Sequence, residues 1–278
     1  TLNVKAAISA YIKVMEKYHH IFQEFNGTDY HPEIVLSVIL DENGKTYSGQ
    51  TKTAFLNSVR HANALFIGFN CRESDSVSFS EVEIDDTVKG NLLHLSNLEA
   101  LDIAREDLKI GELCDIDANR EFEIFVERKQ DDKMLNLMRK QVREGANVLR
   151  ICLDLRWIDA KTEMCRIIRL VEADEELKKV PLMLASTNFK VINEALKVSQ
   201  GRCLVEKICL SKDEAESAKQ KKIIERLGGD LYELPLTLSD FQFCRSLVET
   251  FGIYFDSCFC RLLPCFYHKQ RPTFPRLM

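Results

Sequence analysis

The sequence predicts an α/β fold, two partial (β/α)8 TIM-barrel portions in tandem. Three observations predict it. Apolar runs of strand length alternate with stretches of helical period along most of the 278 residues. Short loops with Gly, Asn and Asp join them, which favours parallel strands with helices outside. A first strand–loop–helix–strand unit over residues 33–71 is separated by a polar stretch from a second series starting near residue 107.

In order, a helix is expected over residues 3–18, with His19 and His20 at its end, and a strand over residues 33–40. Asp41-Glu42-Asn43-Gly44 reads as a turn, because an Asn-Gly pair favours positive φ. After a loop carrying Ser48 and Gly49, residues 51–61 form a helix with Ala54, Phe55 and Val59 on its apolar face. Ala64–Phe69 is a buried strand that ends at Cys71. Barrel enzymes keep their chemistry at the C-terminal ends of strands. A thiolate at Cys71 would bind zinc or act as a nucleophile there; the alternative is a plain buried thiol.

Residues 72–106 read as a linker, with Arg72–Ser80 polar and Glu81–Asp86 acidic. Beyond it, Asp131 and Asp132 cap a helix with Met134, Leu135, Met138 and Val142 at helical spacing, stopped by Gly145. Strands follow at Asn147–Leu153, Val180–Ala185, Cys203–Leu210, Leu231–Leu236 and Ile253–Ser257. Helices at Lys161–Glu175 and Val191–Val198, a charged one before Gly228-Gly229, and one opened by Ser239 and Asp240 separate them. Lys212–Lys222 is an exposed helix face with paired opposite charges. The expected units are therefore residues 1–71, the linker 72–106, residues 107–258 and an irregular tail, 259–278. Around that tail, Cys258, Cys260, Cys265 and His268 offer four zinc-type ligands, against a disordered reading supported by Pro264, Pro272 and Pro275.

Composition narrows the function classes. A 45% hydrophobic content fits a globular chain, and a net charge of -5 argues against a nucleic-acid surface. No apolar run is long enough to cross a bilayer and no signal peptide is visible, so no membrane partner and a cytoplasmic location are expected. The first residue is Thr1 rather than Met, as expected of a fragment, a processed product or an incomplete gene model. Cys71, Cys114, Cys152, Cys165, Cys203 and Cys209 fall mostly in or beside elements without regular spacing, so they read as reduced thiols.

Several blocks carry a resemblance. Thr1–Ala7, Ser48-Gly49-Gln50-Thr51, Asn57–Ala62 and Gly68-Phe69-Asn70-Cys71 resemble the homocysteine-binding barrel of cobalamin-dependent methionine synthase. Ile110-Gly111-Glu112, Gln141–Ala146, Trp157–Ala160, Val180–Met183, Ser199-Gln200-Gly201 and Leu204–Leu210 resemble its pterin-binding barrel. The resemblance spans about 200 of the 278 residues in the family order. It implies methyl transfer from 5-methyltetrahydrofolate, through cobalamin, to homocysteine, giving methionine, with zinc activating the homocysteine thiol. Cys71 matches one of three zinc ligands; the others are an adjacent cysteine pair, and no Cys-Cys pair occurs in this sequence.

The scaffold positions match better than the chemical ones. Where the family has glycine-glutamate-arginine, a small residue and asparagine, this chain has Gly111-Glu112-Leu113-Cys114-Asp115. Where the family has aspartate, a hydrophobic residue, asparagine and a second aspartate, it has Arg150, Ile151, Cys152 and Asp154. Arg169 replaces an asparagine, Ala185-Ser186-Thr187 replaces aspartate and two serines, and Glu206-Lys207 replaces asparagine-serine. Arg150, Arg169 and Lys207 put positive charge near the sheet ends. Each lost pairing group costs about 1–3 kcal/mol, so weak folate binding and impaired or lost activity are expected. Glu112, Asp154 and Ser186 remain the candidate cofactor-binding residues, with solvated loop or cap roles as the alternative. The alternative function is a catalytically inactive relative serving as a binding or assembly module, with a protein partner covering open barrel edges.

Overall fold

Strands and helices alternate in the computed structural model, which describes residues 2–26, 33–71, 92–206, 210–211 and 213–232. The first group is α1 (Leu2–Asn26), β1 (Val35–Leu40), α2 (Lys52–Val59) and β2 (Phe66–Cys71). β1 and β2 form a two-stranded parallel sheet, from Val35 opposite Phe66 to Leu40 opposite Cys71. Ile8 of α1 packs with Phe55, Val59, Ile67 and Phe69 against one face of that sheet. The Phe55 and Phe69 rings meet edge to face at 6.2 Å. His19 and His20 lie within α1 rather than at its end, because the helix continues to Asn26.

Residues 92–104, inside the stretch read as linker, form an antiparallel hairpin of β3 (Leu92–Ser96) and β4 (Ala100–Ala104). Alternation at Leu93, Leu95, Leu101 and Ile103 gives the hairpin one apolar face.

The remainder is a five-stranded parallel sheet: β5 (Ile110–Asp115), β6 (Val148–Cys152), β7 (Leu182–Ala185), β8 (Leu204–Glu206) and β9 (Asp230–Tyr232). Each strand lies beside its predecessor in the chain. Helices α3 (Arg120–Glu127), α4 (Asp131–Arg143), α5 (Ala160–Ala173), α6 (Phe189–Val198) and α7 (Glu214–Arg226) fill the crossovers. Asn119, Asp159, Asn188 and Asp213 cap α3, α5, α6 and α7, each side chain accepting from a first-turn N–H. Asp131 is instead the first residue of α4, behind an N-cap at Gln130, and its carboxylate pairs with Arg166.

The chain is thus α/β, as the apolar rhythm predicts. Among the described residues this sheet holds five parallel strands in sequential order. The expected strand at residues 253–257 lies outside the described residues, as does the Cys/His tail.

Period-2 alternation splits each strand between two cores. Leu149, Ile151, Leu182, Leu184 and Val205 face the helices in a buried cluster with Met138, Ile167 and Ile192. Val148, Met183, Leu204 and Tyr232 face the other way, against Leu93 and Leu95 of the hairpin. The hairpin therefore floors one end of that second face.

Several blocks behind the family resemblance meet here. Gln50 donates through Nε2 to Ser58 Oγ at 2.9 Å and to the Asn97 carbonyl at 2.8 Å. Asn57 donates to the Leu95 carbonyl at 3.0 Å and to Asp102 at 2.9 Å. Lys5 is buried and donates to the carbonyls of Ser199 and Gly201, at 3.0 and 2.8 Å. Gly201 approaches the hairpin turn so closely that a Cβ would stand 1.8 Å from the Ser96 carbonyl oxygen.

This junction carries two perturbed groups of opposite sign. Burial pushes Glu172, which accepts from the Gln200 N–H at 2.7 Å, up to about 7. Burial pushes His61 down to about 3, helped by Lys5 and Arg202. The native state therefore holds a proton on Glu172 that the unfolded chain has released above the usual carboxylate range. The stability this gives is complete below the unfolded value of 4.5 and is lost as pH rises through about 7. His61 acts the other way, its contribution fading as pH falls from 6.5 towards 3. Glu172→Gln should gain on the wild type by about 3 kcal/mol between pH 4 and pH 8, read from urea unfolding at both values. A constant difference across that range would contradict the assignment.

Candidate functional site

The carboxyl ends of β5–β8 gather the polar residues that the sequence singles out. By register, Asp115 lies opposite Cys152 and Cys152 opposite Ala185. Glu206 follows one step past the Leu184–Val205 pair, level with Ala185. These four residues form one layer above the apolar floor made by Val148, Met183 and Leu204.

Arg150 projects from β6 into this layer. Its Nη1 donates to Asp115 Oδ2 at 2.6 Å, and its Nε and Nη2 donate to Glu206 Oε2 at 3.1 and 3.0 Å. The three side chains are 16%, 4% and 7% exposed. Burial works against the charge on Arg150, but Glu206 and Asp115 outweigh it and hold the guanidinium above its usual value. The arginine thus links β6 to Asp115 on β5 and to Glu206 on β8.

At the loops beyond, Asp154 accepts from Ser186 Oγ at 2.6 Å, from the Thr187 N–H at 2.5 Å and from Thr187 Oγ1 at 2.8 Å. Ser186 is buried and also accepts from the Asn188 N–H at 3.1 Å, at the start of α6. Both carboxylate oxygens of Asp154 are thus engaged in tying the end of β6 to the end of β7.

The structure brings Asp154 and Ser186 together and leaves Glu112 apart from them. Glu112 is exposed within the irregular stretch of β5 between Gly111, opposite Leu149, and Cys114, opposite Ile151. That places it near the level of Arg150, several residues short of Asp154. The Gly111 beside it packs closely, since a Cβ there would stand 2.8 Å from Gln141 Oε1 and 3.0 Å from Leu149 Cδ2. Gln141 in turn accepts from the Leu113 N–H at 2.8 Å, so this motif braces a strand against α4.

Arg169 is exposed on α5, not at a sheet end, because it falls on the outer side of that helix. Lys207 lies outside the described residues. The thiols of Cys114 and Cys152 are pushed up to about 12 by burial, with Asp115 and Asp154 adding to the effect at Cys152, so neither is an activated nucleophile. Cys71 ends β2 opposite Leu40, and its side chain lies outside the described residues.

The residues present do not fit the implied groups well. A catalytic zinc takes three protein ligands as a rule, and the chain has no adjacent cysteine pair to join Cys71. A pterin edge needs carboxylate and amide partners, whereas the buried carboxylates Asp115 and Glu206 are already held by Arg150.

Sequence reasoning saw Arg150, Asp115 and Glu206 as separate departures and missed that they belong together. The sequence places a cation and two anions near the ends of three strands, and only the strand register brings them together.

Residues 120–227 match the family model described as Pterin binding enzyme. The span runs from the start of α3 to the end of α7 and includes Arg150, Asp154, Ser186 and Glu206, while Glu112 and Asp115 precede it. The strands, crossover helices and polar strand ends described above therefore lie, over residues 120–227, in a domain similar to those of the pterin-binding enzymes.

Proposed function

We propose that the chain is a degenerate relative of cobalamin-dependent methionine synthase, keeping portions of two (β/α)8 barrels as a scaffold while methyl transfer is impaired or lost. Its parent activity is transfer of a methyl group from 5-methyltetrahydrofolate, through cobalamin, to homocysteine. Support for the lineage comes from the pterin-binding match together with the blocks preceding it in family order. One observation carries the loss: the guanidinium of Arg150 fills the layer between Asp115 and Glu206.

The residues left for a folate are Asp154 and Ser186 at the mouth, with Glu112 on the exposed stretch of β5. Asp154 would offer its carboxylate to the N–H edge of a pterin only by sharing oxygens that Ser186 and Thr187 already use. Binding of folate is accordingly weak, and homocysteine activation lacks its zinc set. Thermal unfolding with and without 5-methyltetrahydrofolate tests this. At 1 mM ligand the midpoint should move by less than about 2 °C. A rise of about 5–10 °C, the size expected when ligand exceeds its Kd a hundredfold, would overturn the reading.

A second reading, a binding or assembly module, is favoured by the outer face of β1. Val35 and Ile39 are 63% and 61% exposed on it, on either side of Ser37, two apolar side chains that a protein partner would cover.

A further inference from the structure

Arg150 is more than a lost ligand contact. A guanidinium is a planar cation whose five N–H donors lie in a fixed fork. Here three of those donors are placed on two carboxylates that rise from strands on either side. Asp115 is further fixed by the Asp117 N–H, which donates to its other oxygen at 3.0 Å. Ala185, on β7 between the two carboxylate-bearing strands, is fully buried, and its register places a small residue level with Cys152. The carboxylates, their spacing and the small residue between them make a receptor for forked N–H donors, and Arg150 enters it from the strand beside.

The geometry points to an autoinhibitory contact: Arg150 acts as a built-in pseudo-ligand, closing a site whose Asp115 and Glu206 would otherwise take a guanidinium-type ligand. The class is an alkylguanidinium or another planar cation with adjacent N–H donors. An ammonium is a compact point charge and cannot span both carboxylates in the same way. This inference does not require any residual folate binding, so the two stand or fall separately.

Chemical rescue of the full chain tests it. In Arg150→Ala, 10 mM ethylguanidinium should raise the unfolding midpoint by about 3 °C or more, while 10 mM ethylammonium leaves it unchanged. The wild type should not respond to either cation, because its own side chain fills the site. Arg150→Ala/Glu206→Gln should lose the response. Equal effects of the two cations, an equal response of the wild type, or no response of Arg150→Ala would each overturn the proposal. If Arg150→Ala is insoluble, refolding it from urea supplies the readout. Soluble recovery that requires ethylguanidinium supports the contact, and equal failure with both cations overturns it.

Discussion

Arg150→Met should cost about 3–5 kcal/mol of folding stability at pH 7, the range found when one partner of a buried ion pair is removed. The reason lies in what remains. Asp115 and Glu206 are 4% and 7% exposed at their side chains, and the guanidinium is the cation bonded to both. Methionine restores most of the volume of the arginine stem but none of its donors, so two buried carboxylates lose their compensation together. The loss should be largely recovered in Arg150→Met/Asp115→Asn/Glu206→Gln, since an ion cluster replaced as a unit often costs little. Urea unfolding of the two variants measures both effects. If the single variant lost less than about 1 kcal/mol, the triad would be a surface-type contact, and its place in a closed layer would be wrong.

Gly201→Ala should be at least as damaging, at about 4 kcal/mol or more. Its Cβ would stand 1.8 Å from the Ser96 oxygen, 2.5 Å from the Ser96 carbonyl carbon and 2.7 Å from Asn97 Cα. All three are backbone atoms, so no rotamer change relieves the clash. Movement of the hairpin turn would break the Ser96 N–H bond to the Arg202 carbonyl and the Arg202 N–H bond to Ser96 Oγ, at 3.2 and 3.0 Å. It would also disturb the Gly201 carbonyl that receives Lys5. Because this junction joins α1, α2, the hairpin and β8, the expected outcome is loss of cooperativity as well as a lower midpoint. A variant that unfolds like the wild type would mean the hairpin does not pack on Gly201.

These two sites show what was legible in the sequence. The alternation of strands and helices from residue 131 to residue 232 was readable because apolar runs, caps and Gly145 or Gly228 punctuate it, whereas α3 was not among the expected helices. Gly201, Gln50, Asn57 and Lys5 could be picked out only as family-like blocks; their reason, a polar junction between distant segments, appears when they meet. The hairpin at residues 92–104 was hidden because Leu92, Leu98, Ala100 and Ala104 blur the alternation set by Leu93, Leu95, Leu101 and Ile103. Expecting a helix end at His19 and His20 overlooks the stop signal of Gly27, which directly follows the true end at Asn26.

The site was half legible. Asp154 and Ser186 do meet, as their positions at successive strand ends suggest. Glu112 does not join them, since the irregular pairing of β5 cannot be seen in a one-dimensional pattern. The pairing of Arg150 with both Asp115 and Glu206 needs strand register across separations of 35 and 56 residues. Substitutions that each look like decay combine there into a satisfied cluster.

On the proposed function, this cluster has taken over the place of the ligand. Equilibrium dialysis of the full chain against labelled 5-methyltetrahydrofolate tests it most directly. No saturable binding is expected below about 100 μM. Saturable binding near 1 μM would mean a working pterin pocket beside Arg150, and would contradict it.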